Sequence, residues 1–166
     1  MPLVRKILVP VDPSPCSTAA LQFAALLAEE LGASLDVLHV HEHGGFDVGS
    51  TAPLAPDVLK ELERGMEHAV EQARTRLGER FSQRSEPGEP LRRILEAAGG
   101  GGYDMIVMGT HGRIGRLHML LGSVAEGVVR NAPCPVLTLR VPEGEESFAE
   151  RLRGGPTIAR QVRSGG

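Results

Sequence analysis

The sequence predicts one α/β domain built on an open, doubly wound parallel sheet, and three observations carry that prediction. Short runs rich in Val, Ile and Leu alternate with segments of helical periodicity along the chain. Three of those runs, within residues 4–11, 34–40, 105–108 and 136–141, are nearly continuous rather than alternating, which is how strands covered on both faces read. The length, 166 residues, holds one sizeable core and is too short for two ordinary domains.

The elements follow in order. Residues 4–11 form the first strand. Ser14 and Pro15 then supply a cap and a first turn for a helix whose stripe is Ala20, Phe23, Ala24, Leu27 and Leu31, with Gly32 at its exit. Residues 34–40 close this opening βαβ unit. The second helix enters at Pro56, leaves at Gly78 and carries Leu59, Leu62, Met66, Ala69, Val70, Ala73 and Leu77 at three and four residue spacing, a core stripe. A third strand over 81–86 contains Ser82, Gln83, Arg84 and Ser85, so its place is a sheet edge. A short helix over 90–98 uses Leu91, Ile94 and Leu95, and Gly99 to Gly102 read as a flexible linker before the fourth strand. Ser123 and Glu126 have capping-box spacing at the start of a fourth helix that must stop before Pro133. Val136, Leu137, Leu139 and Val141 make a last strand whose apolar edge needs a second chain or the tail to cover it, so a homodimer through this strand is expected.

Composition removes several function classes. The net charge of −3 and an aromatic content of 3% provide neither the basic footprint nor the stacking platforms of a nucleic-acid reader. No apolar window reaches bilayer length, and the start has no signal-like apolar region, so a soluble cytoplasmic protein without membrane attachment is expected. Cys16 and Cys134 form no CxxC pair and read as reduced, packing thiols. Residues 142–166 gather four glutamates, then four arginines, with glycines at 154, 155, 165 and 166, and read as a loosely ordered extension to a domain spanning 1–141. Residues 42–54, with Gly44, Gly45, Gly49 and Pro53, are either a lid or a solvated connection.

The chemistry concentrates where the fourth strand ends. Met108, Gly109, Thr110, His111, Gly112 and Arg113 place two glycines three apart; nine residues follow, and then Gly122, Ser123 and Val124 open a helix. Glycine admits positive φ and lets amides approach an anion without a Cβ in the way, while a helix start offers orphan N–H donors and the positive end of its dipole. Ser123 adds a hydroxyl. In an open α/β sheet the ligand lies at the carboxyl ends of the strands where strand order reverses, so neighbouring first and fourth strands would bring Pro10, Val11 and Asp12 beside Gly109, with Asp12 accepting from ribose hydroxyls. Neither a P-loop nor a Gly-x-Gly-x-x-Gly dinucleotide fingerprint is present.

These residues resemble the universal stress proteins, whose nucleotide-binding members carry Gly-x2-Gly-x9-Gly-Ser/Thr, here Gly109, Gly112, Gly122 and Ser123. The resemblance runs over roughly residues 1–141. It takes in Lys6-Ile-Leu-Val-Pro-Val-Asp12 with Ser14 and Ser17, Leu38-His-Val40, Asp104 to Gly112, and Ala132-Pro-Cys-Pro-Val-Leu137. It implies a five-stranded parallel sheet in order 3-2-1-4-5 with helices on both faces, the three-layer adenine-nucleotide alpha-hydrolase-like (HUP) sandwich, and a dimer through the last strand. It further implies that Pro10, Val11 and Asp12 hold adenine and ribose, that Val40 lines the base, and that Met108 to Arg113 with Gly122, Ser123 and Val124 wrap the phosphates of ATP, AMP or ADP, with Mg2+ as counter-ion. The polar third strand and the added tail depart from the family pattern.

Blander roles stay open beside these. Asp12 also suits a cap of the first helix, Ser123 an N-cap, Arg113 a solvated cation, and His111 a residue that shapes the turn. The leading expectation is an ATP-binding stress-response regulator or nucleotide sensor without catalytic residues. The alternatives are a slow ATP hydrolase, for which no general base is evident, and a nucleotide-free dimeric interaction module. His39, His41 and His43 alternate and would share one side of an extended strand, an arrangement suited to a transition metal. The strand is expected to end near Val40, however, and the family resemblance implies no metal there. His68 and His118 read as surface residues.

Overall fold

In the computed structural model, which describes residues 2–41, 55–110 and 121–141, strand and helix alternate from Lys6 to Leu139 among the described residues. The elements are β1 (Lys6–Val11), α1 (Pro15–Leu31), β2 (Ser34–His41), α2 (Pro56–Leu77), β3 (Phe81–Pro87), α3 (Pro90–Gly100), β4 (Met105–Gly109), α4 (Ser123–Asn131) and β5 (Val136–Leu139), with a 3₁₀ turn at Gly78–Arg80. The five strands form one parallel sheet in the order β3-β2-β1-β4-β5. Four observed strands end differently from the sequence prediction: β2, β3 and β4 each continue one residue further, to His41, Pro87 and Gly109, and β5 stops at Leu139. The predicted 42–54 loop and 142–166 extension lie outside the described residues.

Period-two alternation in the strands feeds two cores. Ile7, Val9, Leu35 and Val37 face α1 and α2, where Ala20, Leu21, Ala24, Met66, Ala69, Val70 and Ala73 meet them. Leu8, Leu38, Ile106 and Met108 face α3 and α4, against Ile94, Ala98, Ala125 and Val128. The central strand β1 is covered on both sides, with Ile7, Leu8 and Val9 at 0% exposure. Burial on that scale stabilises by about 1.5–3 kcal/mol per large side chain, which is why continuous apolar runs sit in β1 and β4 and a polar one sits at the edge.

Helix α1 begins as the sequence predicts. Ser14 is the N-cap, its hydroxyl accepting from the Ser17 amide at 3.2 Å, Pro15 follows it, and Gly32 ends the helix. The start of α4 differs. Gly122 is the N-cap, without a side-chain cap bond, and Ser123 is already the first helical residue, so the expected Ser123–Glu126 capping box does not form. The cause is a tertiary tie: the Gly122 amide donates to the Thr110 carbonyl at 2.7 Å, which fixes the chain one residue earlier, and Glu126 pairs instead with Arg130 at 2.9 Å. The tetraglycine linker is also revised. Gly99 and Gly100 complete α3, and a Cβ on Gly101 would lie 2.1 Å from the Tyr103 ring, so this glycine is required by packing.

The polar character of β3 has a partner-by-partner explanation. Ser82 donates to Asp36 at 2.5 Å, Arg84 donates to the Tyr103 hydroxyl at 3.2 Å and pairs with Glu86 at 2.9 Å, and Gln83 accepts from Arg74 at 3.1 Å. Tyr103 in turn donates to Asp36 at 2.7 Å, while the Lys6 ammonium lies 3.3 Å from Asp36, above the Tyr103 ring. Burial pushes the Asp36 carboxyl up, but the bonds from Ser82 and Tyr103 and the Lys6 charge outweigh it and hold the group below its ordinary value. Tyr103 moves the other way, raised by burial and by its bond to Asp36. This cluster belongs to the amino end of the sheet.

Candidate functional site

The opposite, carboxyl end of the sheet is where strand order reverses. β1 has β2 on one side and β4 on the other, and its register with β4 pairs Ile7 with Met105 and Leu8 with Ile106. Continued three residues at the same offset, that register sets Val11 level with Gly109. Two segments far apart in sequence, Pro10 to Asp12 and Met108 to Thr110, therefore end side by side in a crevice of the kind where doubly wound sheets bind ligands.

Each segment is held by its own bonds. The Asp12 amide donates to the Ser17 hydroxyl at 2.9 Å, the Asp12 carbonyl accepts from the Ser14 amide at 2.8 Å, and the Ser14 hydroxyl makes a short bond to the Asp12 carboxylate. Asp12 is thus part of the cap of α1 as well as the half-buried acid at the crevice. A carboxylate offers about four lone-pair positions, so the Ser14 bond fixes its orientation without using its whole acceptor capacity.

At the facing strand end, the Thr110 amide donates to the Leu139 carbonyl at 2.9 Å and the Thr110 carbonyl receives the Gly122 amide. Thr110, 5% exposed, is therefore the post to which β5 and the start of α4 are both tied. The Gly122–Thr110 bond holds the amino terminus of α4 at the carboxyl end of β4. The first amides of α4 have no acceptor within the helix, which makes that end attractive to an anion.

At Gly109 it is contact, not torsion, that requires glycine. Neither described glycine of the motif, Gly109 or Gly122, has a positive φ, so the left-handed backbone that glycine permits is not used at these two positions. A Cβ on Gly109 would stand 2.8 Å from the Cys16 carbonyl carbon and 3.0 Å from its oxygen, so glycine is what lets the first turn of α1 close against β4.

The remaining predicted residues divide by face. Pro10 is buried in β1, and Val11 is buried at the rim of a cleft of about 450 Å³ that also includes Asp12, Pro13, His39, Glu67 and Met66. The Met108 side chain, 6% exposed, is committed to the core beneath α3 and α4, where Val40 and Val124 also pack, so Met108 can serve a ligand only through its backbone. Ser123 is exposed on the first turn of α4. His111, Gly112 and Arg113 lie outside the described residues. The sequence reading named Ser17 and Thr110 only as parts of the matching motifs and Cys16 as a packing thiol; it missed Ser17 holding the Asp12 amide, Cys16 against Gly109, and Thr110 tying β5 to α4. For Thr110 the signal was available, since a β-branched polar residue between a buried strand and a glycine turn needs backbone partners.

Both cysteines are free, Cys16 and Cys134 being partly exposed. Burial raises the Cys134 thiol above its ordinary value, with the Asp104 charge adding to the effect. Among the described residues no helix is long and apolar enough to cross a membrane, and no group of three His, Cys, Asp or Glu side chains is arranged to hold a metal ion.

Fold and crevice together define a doubly wound α/β protein with a crevice at its topological switch point. Residues 4–140 match the universal stress protein family, and the chain belongs to it. Universal stress protein MJ0531 of Methanocaldococcus jannaschii is 36% identical over 147 residues, spanning 86% of each chain. Two solved structures share the fold: a universal stress protein in complex with cAMP, with a TM-score of 0.61 at 22% identity over 83% of this chain and 98% of the other, and a universal stress protein from Archaeoglobus fulgidus in complex with dAMP, with a TM-score of 0.56 at 24% identity over 84% and 100%.

Proposed function

We propose that this chain is an adenine-nucleotide-binding universal stress protein that holds ATP in the crevice between the ends of β1 and β4 and acts as a cytoplasmic nucleotide-responsive regulator. The observation that carries the reading is the β1–β4 pairing, whose continued register sets Val11, the residue before Asp12, level with Gly109, while the Gly122–Thr110 bond holds the start of α4 at the end of β4. In this reading Asp12 accepts from the ribose hydroxyls, Pro10, Val11 and Val40 border the base, and Gly109, Gly122, Ser123 and Val124 present backbone and hydroxyl donors to the phosphates, joined by His111, Gly112 and Arg113. Mg2+ accompanies a bound triphosphate as its counter-ion. That two structures of the same fold hold cAMP and dAMP supports an adenine nucleotide as the ligand class. β5, half-buried along its length at the sheet edge, is the surface through which a second copy docks.

A second reading, a nucleotide-free dimeric interaction module, draws on the same geometry, since Asp12 already serves Ser14 and Gly109 already clears Cys16. Calorimetric titration of the purified full-length chain with ATP, AMP and cAMP separates the two. Saturable ATP binding that weakens roughly tenfold in Asp12→Asn, the expected loss of one charge-assisted bond, supports the nucleotide reading. Folded protein that takes up none of the three overturns it and favours the interaction module.

A further inference from the structure

The continuation of β2 to His41 has a chemical consequence. Strand period places residues 39 and 41 on the same side, and their imidazole rings stand 6.2 Å apart, centroid to centroid. Both rings also turn the same atom toward one point: His41 Nδ1 lies 3.2 Å, and His39 Nδ1 3.5 Å, from the hydroxyl oxygen of Ser85 on the neighbouring strand. The register supports this convergence, since His39 pairs with Ser85 across the β2–β3 ladder.

We propose that His39 and His41 form a chelating pair for a borderline divalent transition-metal ion, Cu2+ before Ni2+, with the Ser85 hydroxyl beside it. A hydroxyl has one proton and cannot donate to both Nδ1 atoms, so the three atoms share a hydrogen-bonding arrangement that a cation bridging the two nitrogens replaces. Neutral imidazole suits Cu2+ and Ni2+, whereas Mg2+ and Ca2+ prefer all-oxygen sets, and affinity along the first row peaks at Cu2+. Two protein ligands suffice for such an ion where water completes the coordination, and His41 and Ser85 are exposed. The local field favours a cation. The cleft that His39 borders also carries Asp12, Glu63, Glu67 and Glu71 against a single guanidinium, Arg74, which is itself paired with Glu71 at 2.9 Å.

This proposal does not depend on nucleotide binding. Its test is a Cu2+ titration of the nucleotide-free full-length protein, followed by calorimetry and by electron paramagnetic resonance. One saturable site with superhyperfine coupling to two nitrogens is expected at neutral pH. His39→Gln and His41→Gln keep a hydrogen-bonding side chain for Ser85 and each weaken binding roughly tenfold or more, while His68→Gln, on the exposed face of α2, leaves it unchanged. Binding of wild-type strength in His39→Gln, or coupling to fewer than two nitrogens in the wild type, overturns the pair.

Discussion

The two ends of this sheet are both polar and are built on opposite plans. At the amino end Lys6, Asp36, Ser82, Arg84 and Tyr103 satisfy one another through side chains, leaving a closed cluster whose groups hold each other in place. At the carboxyl end the bonds run through backbone and caps, with Ser14 and Ser17 around Asp12 and Gly122 on Thr110, and the elements that meet there are a strand terminus, a glycine and a helix start. A side-chain network that saturates itself makes a rigid floor. A strand terminus, a glycine and a helix start tied through backbone do not fill that end with side chains, and that difference, rather than polarity as such, is the ground for proposing the ligand site there.

The comparison is broken most directly at Gly109. Alanine there would place its Cβ against the Cys16 backbone, which cannot rotate away as a side-chain tip would, so Gly109→Ala is expected to lose about 1–3 kcal/mol of stability in urea denaturation. An unchanged unfolding midpoint would mean that α1 and β4 are not locked together at the crevice.

The amino end is tested by acid. Asp36 has a depressed pKa in the folded chain, so its contribution to stability is fully present above its unfolded value of about 3.9 and is lost as pH falls through that value toward the folded one. Asp36→Asn is expected to be less stable than wild type at neutral pH and to flatten the stability profile across this acid window, which chemical denaturation at a series of pH values reads. A parallel pair of profiles would show that the cluster is not what holds the amino end.

The smallest stability effect sharpens the contrast. Ser123 is the first helical residue and not the cap, so Ser123→Ala is expected to shift stability by less than about 0.5 kcal/mol while weakening ATP binding. A loss near 1 kcal/mol, the usual worth of an N-cap, would restore the capping role that its spacing to Glu126 suggests.

Much of this was legible in the chain. Continuous apolar runs announced β1 and β4 because a strand covered on both faces has no solvent side to keep polar. Ser14, Pro15 and Gly32 marked α1 because caps and exits are decided by the residue in place. The spacing Gly109, Gly112, Gly122, Ser123 pointed to the crevice before any strand order was known. What misled was local reading of residues whose partners are distant. The capping box at Ser123 lost to the hydrogen bond between Gly122 and Thr110; the glycines at 99–101 are a different case, since Gly99 and Gly100 continue α3 and Gly101 accommodates the Tyr103 ring only two residues on, a fit that residue type alone does not show.

By itself, then, the sequence determined which segments become strands and helices and which strands lie inside, since these follow from periodicity and residue type within a few turns of chain, and it nominated the residues proposed to meet a phosphate. Only the tertiary structure decided that Gly109 is small because of Cys16, that the polar third strand is neutralised by Asp36, Tyr103 and Arg74, and that His39 and His41 share Ser85. Each of those facts is a contact between residues brought together by strand order, and the free energy of such a contact appears only once the sheet has formed.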